Sequence, residues 1–240
     1  MSGIAPHPDL TACIVLVGAE QSPVLVVDNL VADPHALVAA ASDAIYLKLG
    51  PLYPGVRAPA PEDYAEVLAA TLNPLIEQAF GCAIEPELEL CAFSLVTTPP
   101  EALSVAQRIP HFDGVEADRL AFVHYLCPPE RGGTAIYRHR STGFERIDAS
   151  RLQNYRAALE RDMQSFGEPA AEYLNGNTEI FEQIASFEAA FNRLILYPGS
   201  LLHSGNIGGL CPLVEDARSG RLTMNGFAQL TQPFQSDVGN

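Results

Sequence analysis

Up to Phe80 the apolar positions mostly carry helical spacing, and from Leu88 onward they fall into short runs bounded by Pro, Gly and Asn. Val24-Leu25-Val26-Val27 reads as a buried strand closing at Asp28-Asn29. Asp33-Pro34 pairs an N-cap acceptor with a proline at the first helical position, so an alanine-rich helix is expected through about Leu47. The prolines of residues 50–61 exclude regular helix and central strand, which leaves a loop. A second helix is expected over Glu62–Phe80, stopped by Gly81.

Beyond it the expected strands are Leu88–Thr97, Leu103–Asp113, Leu120–Cys127, Thr134–His139, Phe181–Phe187, Arg193–Tyr197, Leu201–Ser204 and Leu222–Leu230. Leu103, Val105, Gln107, Ile109, His111 and Asp113 alternate, which puts all of them on one face of their strand. A charged helix, Arg151–Phe166, is capped by Asp148 or Ser150, and a polar turn follows at Asn175-Gly176-Asn177. Two helices, about eight short strands and one helical insertion at 148–180 predict a mainly β fold, a barrel or jelly roll with helical buttresses. A single domain is expected over 1–240, with the N-terminal strand and supporting helices in 1–87 and the core in 88–230.

Composition narrows the classes. A chain of 240 residues, 48% hydrophobic and 18% charged, has ample core, and 19 Pro with 18 Gly is too little for a fibrous protein. Fourteen Lys and Arg against 29 Asp and Glu give a net charge of −15, which repels phosphate backbones and argues against nucleic-acid and anionic-membrane partners. Five widely spaced cysteines without a C-x-x-C argue against a disulfide framework and a thiolate zinc site. Met1–Asp9 lacks the basic start of a signal peptide, and the apolar run Cys13–Val17 is too short to span a bilayer, so a cytoplasmic location is expected.

The chemistry-bearing residues come next. His111 and Asp113, one residue apart on a strand, offer an imidazole and a carboxylate to the same space. His203 follows ninety residues after Asp113, beside a Pro-Gly turn. Two histidines and one carboxylate on one face of an octahedral ion make the facial triad of non-haem Fe(II) oxygenases, with three positions open. An H-x-D triplet by itself also occurs by chance. Arg221 opens the apolar run Arg221-Leu222-Thr223-Met224. Inside a barrel its guanidinium needs a carboxylate; at a strand end it snorkels to water instead.

Taken in order, His111-Phe112-Asp113, Arg119 through Tyr125-Leu126-Cys127, Gly132-Gly133-Thr134, Leu196-Tyr197-Pro198 with His203, and Arg221-Leu222-Thr223 resemble the Fe(II)/2-oxoglutarate-dependent dioxygenase superfamily, prolyl-hydroxylase-like branch. The likeness spans about residues 88–230, and Tyr-Pro-Gly-Val-Arg, Ile-Pro-His-Phe-Asp, Tyr-Arg-His-Arg and Thr-Gly-Phe-Glu look like an uncharacterised bacterial branch of it. The resemblance implies a double-stranded β-helix (jelly-roll, cupin-like) core and a C–H hydroxylase acting on a small molecule or peptide with O2. It makes His111, Asp113 and His203 the Fe(II) ligands and Arg221 the partner of the distal carboxylate of 2-oxoglutarate, with Tyr125 and Thr223 adding hydroxyls. Asp113 favours hydroxylation, since halogenating relatives lose this carboxylate. Cys127 replaces the usual Asn of Tyr-Leu-Asn, and Leu103 stands where many relatives carry a tyrosine, for which Gln107 is a candidate substitute. A non-catalytic cupin-like barrel binding a metal or small acid is the rival reading.

Tyr137, Arg138 and His139 are substrate candidates, alternating between the mouth and a solvated face, and Tyr53 with Arg57 form either part of a lid or a structural loop. His124, opposite in parity to Tyr125, is expected to pack away from the iron. Whether the protein is a monomer or a homodimer stays open.

Overall fold

The computed structural model describes residues 4–85, 88–209 and 211–233; the junction expected at residue 87 lies outside them. The order of elements is β1 (Thr11–Val17), β2 (Ser22–Asp28), α1 (Pro34–Asp43), β3 (Gly55–Pro59), α2 (Tyr64–Phe80), β4 (Leu90–Val96), β5 (Arg119–Tyr125) and β6 (Gly133–His139). Then come α3 (Leu152–Phe166), β7 (Phe181–Glu188), β8 (Arg193–Pro198), β9 (His203–Asn206) and β10 (Leu222–Gln229). The fold is mainly β. A seven-stranded sheet runs β1-β2-β8-β5-β10-β4-β3 and a three-stranded sheet runs β7-β6-β9, with every pairing antiparallel.

Alternation along β5 shows how the layers form. Leu120 and Phe122 pack on one side into a cluster with Leu68, Leu72 and Ile76 of α2. Ala121, Val123 and Tyr125 point to the other side, where they meet Ile136 of β6 and Ile195 and Tyr197 of β8. The inner faces of the two sheets therefore share one cluster. On the far side of the three-stranded sheet, Ala135, Tyr137 and Phe181 pack on Tyr155 of α3, so the 148–180 insertion buttresses that sheet from outside.

Several elements differ from the sequence expectation, each for a local reason. The first helix ends at Asp43, because Ala44 is already extended and Leu47 turns to pair with Arg57. The proline-rich segment holds a strand, β3, but at the sheet edge, where prolines near both ends cost no ladder hydrogen bond. Cys13–Val17, read as a bare apolar run, lies within the opposite edge strand, Thr11–Val17. Leu103–Asp113 is not a strand. Pro100–Ala102 and Val105–Gln107 are 3-10 turns, the second closed by a reciprocal Ser104–Gln107 capping box. The strand expected from Leu201 begins at His203. Asp148 rather than Ser150 tethers the start of α3, its carboxylate accepting from the Ser150 and Arg151 backbone N–H groups. Among the described residues no helix is long and apolar enough to cross a membrane.

Candidate metal centre

His111 and His203 meet through a single antiparallel bridge. The His111 N–H donates to the His203 carbonyl at 2.9 Å and the His203 N–H donates back at 2.8 Å. Directly opposed residues share a face, so the rings come together with centroids 4.2 Å apart. Asp113 is anchored by its own N–H on the Gly199 carbonyl at 2.7 Å. Its carboxylate lies 3.3 Å from His203 Nε2 and 3.8 Å from His111 Nε2. One ligand atom from each residue falls within 4.8 Å of the others, the one such group among the described residues.

The protonation pattern suits a cation. His203 Nδ1 sits 2.8 Å from the Leu201 carbonyl, which can only accept, so Nδ1 carries a hydrogen and Nε2 is the nitrogen turned toward Asp113, free to bind a metal once its own proton is displaced. Burial opposes a charge on His203, but the Asp113 carboxylate outweighs it and leaves the pKa raised. Burial likewise acts to raise Asp113, and the His203 charge and hydrogen bond bring it down instead. The His111 side chain keeps 53% of its surface in contact with solvent, at the mouth of the recess. Desolvation, then the neighbouring His203 charge, pushes its pKa down. Two imidazoles this close cannot both be protonated cheaply, whereas a divalent ion satisfies both lone pairs and the carboxylate together. The donor set of two nitrogens and one oxygen fits a first-row divalent metal that keeps open positions.

Arg221 is 5% exposed. Its Nη2 donates to the Gly133 carbonyl at 2.9 Å, its Nε is buried with no partner, and among the described residues it makes no ion pair. The Gly133 carbonyl is held in place by the preceding Gly132, whose φ of 101° and closeness to the Asn206 carbonyl exclude a side chain. The guanidinium carbon stands 5.8 Å from the Tyr125 ring. Burial pushes Tyr125 up to about 12, and its hydroxyl pairs with Thr134 Oγ1 at 2.7 Å. Thr223 donates to Asn225 Oδ1 at 2.6 Å. Tyr197 connects the two halves of the site. Its ring sits edge-on to His203 at 4.9 Å, and after burial, which raises its pKa, it feels the charges of Asp113 and Arg221.

Strand register explains the convergence. Arg57 opposes Ser94, Ser94 opposes Thr223, and Thr223 opposes Tyr125, so this row lies on one face of the large sheet. Arg221, two residues before Thr223, has the same parity. The Arg57 guanidinium lies 4.3 Å above the Tyr53 ring.

Other sequence candidates go elsewhere. Gln107 donates to the Pro51 and Leu52 carbonyls at 3.1 and 3.2 Å and does not join the group. Tyr137 packs behind the three-stranded sheet, Arg138 pairs with Glu145 and Glu182, and His139 approaches Asp162 at 3.1 Å; none of these meets the triad. His124 packs away from it, between the Tyr64 hydroxyl at 2.9 Å and Asn192 at 3.1 Å. Ser94 and the ring contact of Tyr197 escaped sequence reasoning. Their signal was the parity they share with Arg57 and Ile195, which is visible only once strands are registered. A cavity of about 220 Å³ between Arg108, Ile109 and residues 166–181 lies outside the triad and touches none of its three residues.

The model of a family of unknown function, DUF6445, matches residues 8–228. No curated protein matches the sequence. Among solved structures, HygX from Streptomyces hygroscopicus with nickel and 2-oxoglutarate bound aligns with a TM-score of 0.50 at 12% identity, covering 88% of this chain and 84% of that one. HygX with nickel, 2-oxoglutarate and hygromycin B aligns at 0.47 and 10% identity, covering 92% and 83%. AviO1 from Streptomyces viridochromogenes Tue57 aligns at 0.43 and 11%, covering 95% and 92%. The likeness to the first of these is one of fold.

Proposed function

The chain belongs to DUF6445, a family of unknown function, and for it we propose an Fe(II)- and 2-oxoglutarate-dependent oxygenase of the prolyl-hydroxylase-like branch, on a double-stranded β-helix core, hydroxylating a C–H bond of a small molecule or peptide. The observation that carries this reading is a His-Asp-His group within 4.8 Å sharing one interior with a buried guanidinium whose Nε has no partner. A barrel that only holds a metal has no reason to bury such a cation. The HygX structure, similar in fold, holds nickel and 2-oxoglutarate, which accords with this pairing.

When bound, the metal supplies the chemistry that couples decarboxylation of 2-oxoglutarate by O2, to succinate and CO2, with conversion of C–H to C–OH. His111, Asp113 and His203 would hold it on one face, leaving positions for the 2-oxo acid and O2. Arg221 would receive the distal carboxylate in a forked ion pair, and Tyr125 and Thr223 would add hydroxyls by leaving Thr134 and Asn225. The Leu201 carbonyl fixes the tautomer of His203. Tyr197, Ile195 and Ile136 keep water from the inner side.

The test is an anaerobic titration of purified protein with Fe(II) and 2-oxoglutarate, followed by succinate measurement in air. A weak visible charge-transfer band and succinate release are expected, both lost in His111→Ala. A folded protein that binds the metal yet shows neither would be the cupin-like binding barrel instead.

A further inference from the structure

A second guanidinium on the inner face also forms no ion pair among the described residues. Arg57 is half-buried, its Nε is shielded from solvent with no hydrogen-bond partner, and among the described residues it forms no ion pair. It rests on the Tyr53 ring. In a chain of net charge −15 an unpaired internal arginine stands out, because acidic partners abound. Its place is also distinct from that of Arg221. Arg221, two residues before Thr223, is 5% exposed, whereas Arg57 lies on edge strand β3, with the Asp113 carboxylate near enough to act on its charge.

The row continues outward. Leu47 pairs with Arg57 through reciprocal backbone hydrogen bonds of 2.8 Å, so their side chains share a face. Leu47 is 60% exposed and Leu52 69% exposed. Gln107 fastens the Pro51 and Leu52 carbonyls to the segment that leads into His111. The mouth of the site is therefore an apolar shoulder beside a cation.

We propose that Arg57 binds the carboxylate of the substrate to be oxidised, and that this substrate is an acid with an apolar body lying on Leu47 and Leu52. The forked donor geometry of Arg57 suits a carboxylate, and the exposed leucines favour hydrocarbon over a second charge. That the bound acid is the oxidised substrate rests on the oxygenase reading; the anion site itself does not.

The experiment uses the full-length protein and sodium octanoate as probe, with octylammonium as control, by titration calorimetry with and without Fe(II) and 2-oxoglutarate under argon. Octanoate should bind and octylammonium should not. Arg57→Gln should weaken octanoate at least tenfold, Arg57→Lys severalfold through loss of the fork, and Leu47→Ser severalfold through loss of the shoulder. Circular dichroism melts check that each variant is folded, and if the Gln variant is not, the Lys and Ser variants decide. The proposal is overturned if octanoate does not bind the wild type or binds all variants equally. It is also overturned if Arg57→Gln spares octanoate and instead weakens 2-oxoglutarate tenfold, which would give Arg57 to the co-substrate. If the wild type fails to bind 2-oxoglutarate while the octanoate pattern holds, the oxygenase reading falls and the anion site stands.

Discussion

His111 and His203 stand opposite each other as a single hydrogen-bonded β pair, not as members of a continuous ladder, with rings 4.2 Å apart. One bridge suffices because the Asp113 N–H, two residues on, takes the Gly199 carbonyl at 2.7 Å and fixes the other end of the segment. The geometry of the His-Asp-His group is thus made by two short backbone clasps, and side chains inherit it.

Removal of one ligand should uncouple the group. His203→Ala or Asp113→Ala is expected to lower affinity for a divalent ion by at least tenfold, measured by calorimetry on chelator-treated protein. The wild type should gain about 2.7 kcal/mol of stability at metal concentrations a hundredfold above the dissociation constant, and the variants should gain little. An equal rise in melting temperature for wild type and variants would place the ion elsewhere.

Arg221 carries an unusual signature, since its Nε is buried without a partner and among the described residues it pairs with no carboxylate. Arg221→Met should leave thermal stability unchanged or raise it by about 1 kcal/mol, because a desolvated charge is replaced by hydrocarbon. The same change should cost about 3 kcal/mol in 2-oxoglutarate binding, roughly a hundredfold. Loss of stability without loss of affinity would mark Arg221 as structural.

His124 predicts a pH dependence. Burial holds its pKa down at about 4, below the ordinary imidazole value of about 6.5. The unfolded chain therefore binds this proton more readily than the folded one, so stability is complete above pH 6.5 and falls as pH drops from there toward 4. Between pH 7 and pH 5 the loss should be about 2 kcal/mol from this group. Urea melts of His124→Gln should show a correspondingly flatter dependence than wild type, and parallel slopes would contradict the assignment.

Glu145 is fully buried and accepts from the Ala19 and Glu20 N–H groups, each at 3.0 Å, and from Arg138. It clasps the β1–β2 turn to the segment after β6. Glu145→Ala should destabilise by about 3 kcal/mol, because donors on both sides lose their acceptor. Chemical denaturation measures this, and exchange of the Ala19 and Glu20 amides should quicken with it.

The sequence carried more of the site than of the path to it. Parity brought His111 and Asp113 to one side although the strand expected around them is absent, because the two-residue relation survives in a single bridge. The same parity failed for Gln107, whose side chain is drawn into a capping box and to the Pro51 and Leu52 carbonyls. Either Tyr137 with His139 or Arg138 could have faced the mouth, but Tyr137 and His139 share the face of Ala135 that packs on α3, and Arg138 on the other face is taken by Glu145 and Glu182.

Residue chemistry and short-range alternation alone determined that the protein is mainly β, that His111, Asp113 and His203 are of metal-binding type, and that Arg221 needs an anion if buried. Only the tertiary structure decided that the triad and Arg221 both reach Tyr197, that Arg221 is buried with no ion pair among the described residues, and that Arg57 lies in register with Thr223. The reason is physical. Period and propensity act over a few residues, whereas which strands become neighbours, and which side chains then face each other, depends on register between segments far apart in the chain.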